Sequence, residues 1–146
     1  MTATTTRRPT TTTRGWAATG LLVVLLVVAA NAVYGGVALA VDGMGMPTEW
    51  LDRLPVDTWT WPGVALLATV AVPQLVAAWL VWRRNPLAPV AGLLAGAGLV
   101  VWIGVQLAVL QRYFFLQPVI AGLGLLELLL AWIWWRQQRG AGSAAA

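Results

Sequence analysis

The sequence contains no cysteine, no histidine and no lysine, and only 10% of its 146 residues are charged. Without cysteine and histidine there is no disulfide, no thiolate nucleophile and no Ser-His or Cys-His catalytic pair, and the commonest zinc and haem ligands are missing. The lack of lysine excludes Schiff-base chemistry. We therefore predict a protein that is not an enzyme, with no catalytic residues, no metal site and no cofactor.

Apolar residues make up 60% of the chain before its 15 glycines are counted. In soluble domains the apolar share reaches about 45–50% only with glycine included, and about 25% of residues are charged. A soluble globule of this length cannot hide so much apolar surface, so the predicted partner of that surface is the lipid bilayer. The net charge of +4 comes from arginines scattered between apolar runs rather than gathered on one face. Nucleic acid is therefore not a predicted partner.

Four long apolar segments without strand-like alternation predict an all-α fold, a bundle of four transmembrane helices. The predicted spans cover residues 15–41, 61–82, 87–110 and 114–135. They form one membrane domain over residues 15–136, between two predicted disordered cytoplasmic tails, residues 1–14 and 137–146. In the first outer loop, we predict a short interfacial helix capped by Thr48.

Arginine is distributed unevenly between the two sides of this topology. Seven arginines fall on the side of both termini, in the N-terminal tail, the 83–86 turn and the C-terminal tail. The opposite side has Arg53 and Arg112, and four acidic residues dilute their charge. Because positive charge favours the cytoplasmic side, the pattern predicts that both termini lie in the cytoplasm and that the protein resides in the cytoplasmic membrane.

The first span has an alternative interpretation as a cleaved signal peptide. Arginines precede its apolar run, and Ala38-Leu39-Ala40 near its end is typical of a cleavage site. The apolar run is, however, longer than the roughly 7–15 residues of a signal peptide. We therefore expect the first span to be retained.

One carboxyl and one amide fall inside the predicted spans at the same depth. Glu127 and Gln74 each lie 13 residues into their spans, and both spans run in the same direction. An acid at this depth normally faces a neighbouring helix or a wet cavity. Each side chain has small helical neighbours that let another helix approach: Gly124 and Ala131 for Glu127, and Ala71, Ala77 and Ala78 for Gln74. We therefore expect the two side chains to meet, directly or through one water.

This pair has two interpretations. Glu127 either binds a proton or a cation, or it is a neutral carboxyl that only forms an interhelical hydrogen bond. Pro73, beside Gln74, cannot donate to the carbonyl of Thr69, which predicts a kink. That kink either lines a ligand cavity or is packed against neighbouring helices. We favour the structural interpretation in both cases.

Other polar residues lie toward the outer side. They are Asn31, Tyr34, Gln106, Gln111, Arg112 and Gln117. This set either lines an outward-facing vestibule or forms ordinary interhelical hydrogen bonds, and we favour hydrogen bonds. Together with Gln74 and Glu127, all of these residues except Gln111 form the candidate intramembrane site. Tyr34 and Gln106 are predicted at similar depth. Gly92 and Gly96 form a GxxxG motif, which is typical of close helix packing.

Two span ends are alike. Residues 78–83 (AWLVWR) match residues 131–136 (AWIWWR) at an offset of 53, which also superposes Gln74 on Glu127. Duplication of a helical hairpin explains the match, but so does the preference of cytoplasmic helix ends for Trp and Arg. The first and third spans show no match at this offset, so we favour the second explanation.

Three stretches carry a resemblance to known sequences: WPGVALLATVAVPQLVAA, VVWIGVQLAVL and FFLQPVIAGLGLL. They resemble small four-span integral membrane proteins of an actinobacterial type whose function is uncharacterised. The resemblance covers roughly residues 20–135 and implies a four-helix membrane protein, without an activity. The chain is also similar in size to small multidrug-resistance exporters, but those place their essential acid in the first helix, where this chain has Asn31.

The leading functional hypothesis is a non-catalytic multi-pass membrane protein that acts through helix–helix contacts with a protein partner or in a homo-oligomer. The alternative is a small transporter, or a membrane protein that binds an apolar ligand, using Glu127 with Gln74.

Overall fold

The computed structural model describes residues 15–52, 54–111, 113 and 115–143. Four helices among these residues are long and apolar enough to cross a membrane: Trp16–Gly45, Thr60–Trp82, Ala88–Leu110 and Leu116–Gly140. The described residues contain no strand. The chain is therefore an all-α, multi-pass membrane protein, and the predicted bundle of four transmembrane helices is confirmed. The predicted tail over residues 1–14 lies outside the described residues, as does Arg53.

The helices begin and end close to the predicted limits of the spans. They are α1 (Trp16–Asp42), α2 (Thr60–Leu66), α3 (Val72–Trp82), α4 (Ala88–Leu110) and α5 (Leu116–Ser143). A π-helical segment, Leu67–Ala71, joins α2 to α3, so these three elements form the second span. Left-handed residues end two helices, Gly43 after α1 (φ 67°) and Gln111 after α4 (φ 48°). In each, the backbone N–H donates to a carbonyl four residues earlier, which satisfies one of the free acceptors at the helix end.

α5 is longer than predicted, so the prediction of a disordered tail over residues 137–146 is wrong for its first seven residues. The helix continues to Ser143. Arginine and glutamine at positions 136–139 are good helix formers, and they carry the helix past the end of the apolar run. The Arg139 guanidinium also lies 3.9 Å from the centroid of the Trp135 ring, a cation–π contact one turn back along the helix.

The predicted interfacial helix in the first loop is a single 3₁₀ turn, Thr48–Leu51. Thr48 is its first residue rather than its cap, because the extended Pro47 occupies the capping position and no side chain caps this end. Leu51 is buried. The loop is held partly by Trp59, whose indole N–H donates to the Met46 carbonyl over 3.2 Å.

The four spans form an up-and-down bundle in which each packs against two neighbours. α1 lies between the second span and α5, and α4 lies between the same two, with the most extensive interface between α1 and the second span. The second span and α5 therefore stand diagonally opposite each other. Both described chain ends lie on one side of the bundle, the termini side, and residues 43–59 lie on the other, the loop side.

The buried apolar residues form two clusters, one toward each side of the bundle. The termini-side cluster comprises Leu21, Leu25, Ala77, Ala78, Val81, Ala88, Ala95, Leu130 and Ala131. The loop-side cluster comprises Val28, Ala32, Val70, Ala71 and Leu99. Gln74 lies between Ala71 of the loop-side cluster and Ala77 of the termini-side cluster. Glu127 lies between Leu123, which packs against the loop-side cluster, and Leu130 of the termini-side cluster.

The GxxxG motif packs as predicted. A Cβ atom built on Gly96 would lie 2.8 Å from the Gly124 carbonyl oxygen, and one built on Gly92 would lie 3.1 Å from the Ala131 Cβ. A side chain at either glycine would collide with these neighbours, so the backbones of α4 and α5 are in close contact there. This contact brings the α4 backbone beside Glu127.

Candidate intramembrane site

The expected contact between Gln74 and Glu127 is present and direct. Gln74 Nε2 donates a hydrogen bond to Glu127 Oε2 over 2.9 Å. The exposed fraction is 1% for Gln74 and 0% for Glu127. Since the second span and α5 are diagonal neighbours, this bond crosses the centre of the bundle. It links two spans whose backbones have little contact of their own.

Small residues give the pair its position. Ala71, Ala77 and Ala78 are buried on the helical face of Gln74. A Cβ atom on Gly96 would lie 3.0 Å from the Glu127 Cβ. The α4 backbone therefore packs directly against Glu127, with no side chain between them. The small side chains therefore leave the bundle axis free for the two longer polar ones, and the helices enclose them completely.

The pair has no charged neighbour among the buried residues that the structure describes. The buried polar side chains there are Gln74, Gln117 and Glu127. One oxygen of each partner, Gln74 Oε1 and Glu127 Oε1, is buried without a hydrogen bond to the described residues. A buried polar atom in this position is unfavourable unless another atom satisfies it.

The kink predicted at Pro73 is a π-helical segment just before the proline. The Val72 N–H donates to the Leu67 carbonyl, five residues earlier, whereas an α-helix would use four. The Thr69 hydroxyl donates to the Ala65 carbonyl over 2.7 Å, one turn back along its own helix. Val70 and Ala71 are buried in the loop-side cluster. The π-helical segment is therefore packed against neighbouring helices on its buried face, which is the interpretation favoured from the sequence.

Asn31 and Tyr34 do not join the central pair, and neither side chain faces another helix of the described chain. The Asn31 side chain is exposed, and its Nδ2 donates to the Val27 carbonyl of its own helix over 2.8 Å. Tyr34 is 70% exposed. The buried stripe of α1 follows Val28, Ala32 and Gly36. Residue 31 stands one position before that stripe, and one position rotates a side chain by about 100° around the helix.

Two of the remaining candidates, Gln106 and Gln117, are described, and they lie apart from the pair. Gln117 is buried near the start of α5, ten residues and therefore about 15 Å from Glu127 along the helix. Gln106 is half-buried on α4. Arg112 lies outside the described residues. Of the seven predicted residues, six are described, and two of these, Gln74 and Glu127, are joined by a hydrogen bond.

A close contact that the sequence analysis missed lies on the loop side. Gly36 of α1 and Gly63 of α2 face each other, and a Cβ atom on Gly36 would lie 3.0 Å from the Gly63 carbonyl oxygen. The Thr60 hydroxyl adds a hydrogen bond of 3.3 Å to the Ala40 carbonyl. The signal in the sequence that could have predicted this contact is a glycine near the end of the first span, Gly36, and one near the start of the second, Gly63.

Comparison with protein-family models, with curated proteins and with solved structures finds no match to this chain. The resemblance of residues 20–135 to four-span membrane proteins therefore stays a prediction. In the described part of the chain, no group of three or more acidic side chains is placed to hold a metal ion. The chemistry that the site itself offers is hydrogen bonding between one carboxyl and one amide, with a proton as the simplest ion it can hold.

Proposed function

We propose that this protein is a non-catalytic protein of the cytoplasmic membrane that acts through lateral helix–helix contacts, the first of them with a second copy of its own chain. One observation carries this proposal. The Asn31 amide lies on the outward surface of α1, at membrane depth, where lipid or another helix must face it.

Asn31 lies so deep in the membrane that exposing its amide to lipid is energetically unfavourable. It is two residues from the midpoint of α1, or about 3 Å along the helix axis. One N–H of its amide donates to the Val27 carbonyl. The second N–H and the oxygen Oδ1 are not used by that bond. Hydrocarbon offers them no partner, whereas an adjacent helix does.

A second copy of the chain is the partner that this surface fits. An amide both donates and accepts, so two Asn31 side chains related by a two-fold axis satisfy each other. The flanking residues on this side of α1 are uncharged and exposed, with Val23 at 55%, Val27 at 46% and Tyr34 at 70%. They supply the apolar contact on either side of the amide pair.

Crosslinking of single cysteines tests this proposal, and the chain is suited to it because it contains no cysteine. We expect Val27→Cys and Tyr34→Cys to form a disulfide-linked dimer on mild oxidation in native membranes. Leu94→Cys is the matched control, since residue 94 is 70% exposed on α4. Adding Asn31→Leu should reduce the Val27→Cys dimer several-fold.

Two results would contradict the proposal. Equal crosslinking from all three positions would mean random collision, and crosslinked products of a mass other than two chains would mean a different partner.

We also propose that both termini lie in the cytoplasm, on the basis of the arginine distribution. A fluorescent protein fused to the C-terminus should fluoresce, and alkaline phosphatase fused at the same place should be inactive. The reverse pattern would require the opposite orientation.

A small carrier is the second candidate function. The π-helical segment Leu67–Ala71 and Pro73 directly precede Gln74, and irregular helical turns often mark moving or ligand-binding parts. The variant Glu127→Gln separates the two functions. A carrier that exchanges a proton loses its activity, while its fold is kept. A protein that acts through helix contacts is almost unaffected, as judged by the growth phenotype of a deletion strain carrying the variant.

A further inference from the structure

The two oxygens without partners at the centre of the bundle belong to the same hydrogen-bonded pair. Gln74 Nε2 donates to Glu127 Oε2, and the atoms left over are Gln74 Oε1 and Glu127 Oε1. As a carboxylate, Glu127 has only acceptors, so neither leftover oxygen has a donor. A neutral Glu127 carboxyl carries one O–H, and a hydrogen on Oε1 directed at Gln74 Oε1 would give each leftover oxygen a role in one hydrogen bond, one as donor and one as acceptor.

We propose that Gln74 and Glu127 form a proton-binding site, in which a proton on Glu127 Oε1 is donated to Gln74 Oε1. The amide and the acid then make two antiparallel hydrogen bonds in one closed ring. The ring binds the second span to α5 across the bundle axis. This inference uses different residues from the proposed contact through Asn31 and does not depend on that contact.

The surroundings of the pair favour the neutral carboxyl. Apolar clusters lie on both sides, and Gly96 places uncharged backbone beside Glu127. The buried residues contributed by α1, α3 and α4 around the bundle axis include no charged side chain. Burying a carboxylate without a positive partner costs far more than burying a neutral acid whose groups are hydrogen-bonded.

Infrared spectroscopy tests the protonation state directly. The chain has only two glutamates, Glu127 and the exposed Glu49. In a Glu49→Gln background, ¹³C-glutamate labelling therefore reports on Glu127 alone. We expect the isotope-shifted carbonyl band of a carboxylic acid at neutral pH in lipid bilayers, and its loss in Glu127→Gln. An isotope-shifted carboxylate band in its place would overturn the proposal.

Exchanging the acid and the amide tests the ring. Glu127→Gln makes an amide–amide pair and Gln74→Glu an acid–acid pair, and both still form two antiparallel hydrogen bonds when neutral. We expect both variants to melt in detergent close to the wild-type temperature, and Glu127→Leu, which removes the ring, to melt below them. If Glu127 were charged, Gln74→Glu would place a second carboxylate against it and destabilise the bundle severely. Melting of both exchange variants as low as Glu127→Leu would also contradict the ring.

Discussion

Gln74 and Asn31 carry the same amide group near the middle of the membrane, but the fold uses the two amides differently. Gln74 is buried, and its amide reaches across the bundle to Glu127. Asn31 faces outward, and its amide bonds to a carbonyl four residues back on its own helix. An inward amide thus joins two spans of one chain. An outward amide joins no two spans of the chain, and its remaining polar groups face whatever lies beside the protein.

The difference arises from side-chain length and position around the helix. Glutamine has one more methylene than asparagine, so its amide extends to a diagonal neighbour. The shorter side chain of asparagine reaches its own backbone readily. Small residues surround Gln74 and leave the bundle axis to it, whereas Asn31 stands beside the buried stripe of α1. The predictions that follow change the inside or the outside of the bundle and leave the other untouched.

The largest effect is expected where the interior pair is enclosed by backbone. Gly96→Val should destabilise the bundle by about 3 kcal/mol, because its Cβ would lie 2.8 Å from the Gly124 carbonyl oxygen and α4 must move away. Gly98→Val, two residues along the same helix, is the control, since nothing lies within 4 Å of its Cβ. Thermal melting in detergent compares the two variants. Equal melting temperatures would show that α4 does not enclose the pair tightly.

A smaller effect is expected at the pair itself. Gln74→Leu and Glu127→Leu each leave one buried polar side chain without its partner, and each should cost about 1 kcal/mol. The double variant should cost less than the sum of the two, because the second substitution removes a group that already lacks a partner. The double-mutant cycle measures this coupling by melting in one detergent. Additive losses would mean that the hydrogen bond across the bundle contributes nothing to stability.

The sequence indicates how deep each polar residue lies in the membrane, and this depth is what made the Gln74–Glu127 contact predictable. Gln74 and Glu127 lie equally far into two spans that run in the same direction. Small residues on one face of each helix then indicated how the helices are rotated. Tyr34 and Gln106 were also matched in depth, but Tyr34 points outward. Depth alone does not fix rotation, and α1 is apolar on all sides, so its buried stripe left little signal.

The remaining differences come from local backbone preferences that an apolar pattern does not show. Pro73 indicated an irregular helix but not its form, which is a π-helical segment whose Val70 and Ala71 are buried. The end of the apolar run predicts that the last helix ends at residue 135, whereas α5 continues to Ser143 because residues 136–139 favour helix in their own right. A hydropathy pattern shows which residues lie in the membrane, but it does not show where the helix ends.

The smallest effect is expected for the outward amide. Asn31→Leu should change the free energy of unfolding by less than about 0.5 kcal/mol, since the side chain is exposed and its hydrogen bond lies within α1. The measurement is thermal melting in detergent at dilutions where the chain is monomeric. Thr69→Val is the matched control, because Thr69 is also exposed and also bonds to its own helix. A loss as large as that of Glu127→Leu would place Asn31 among the residues that hold the bundle together. In that case the contrast between inward and outward amides would not hold.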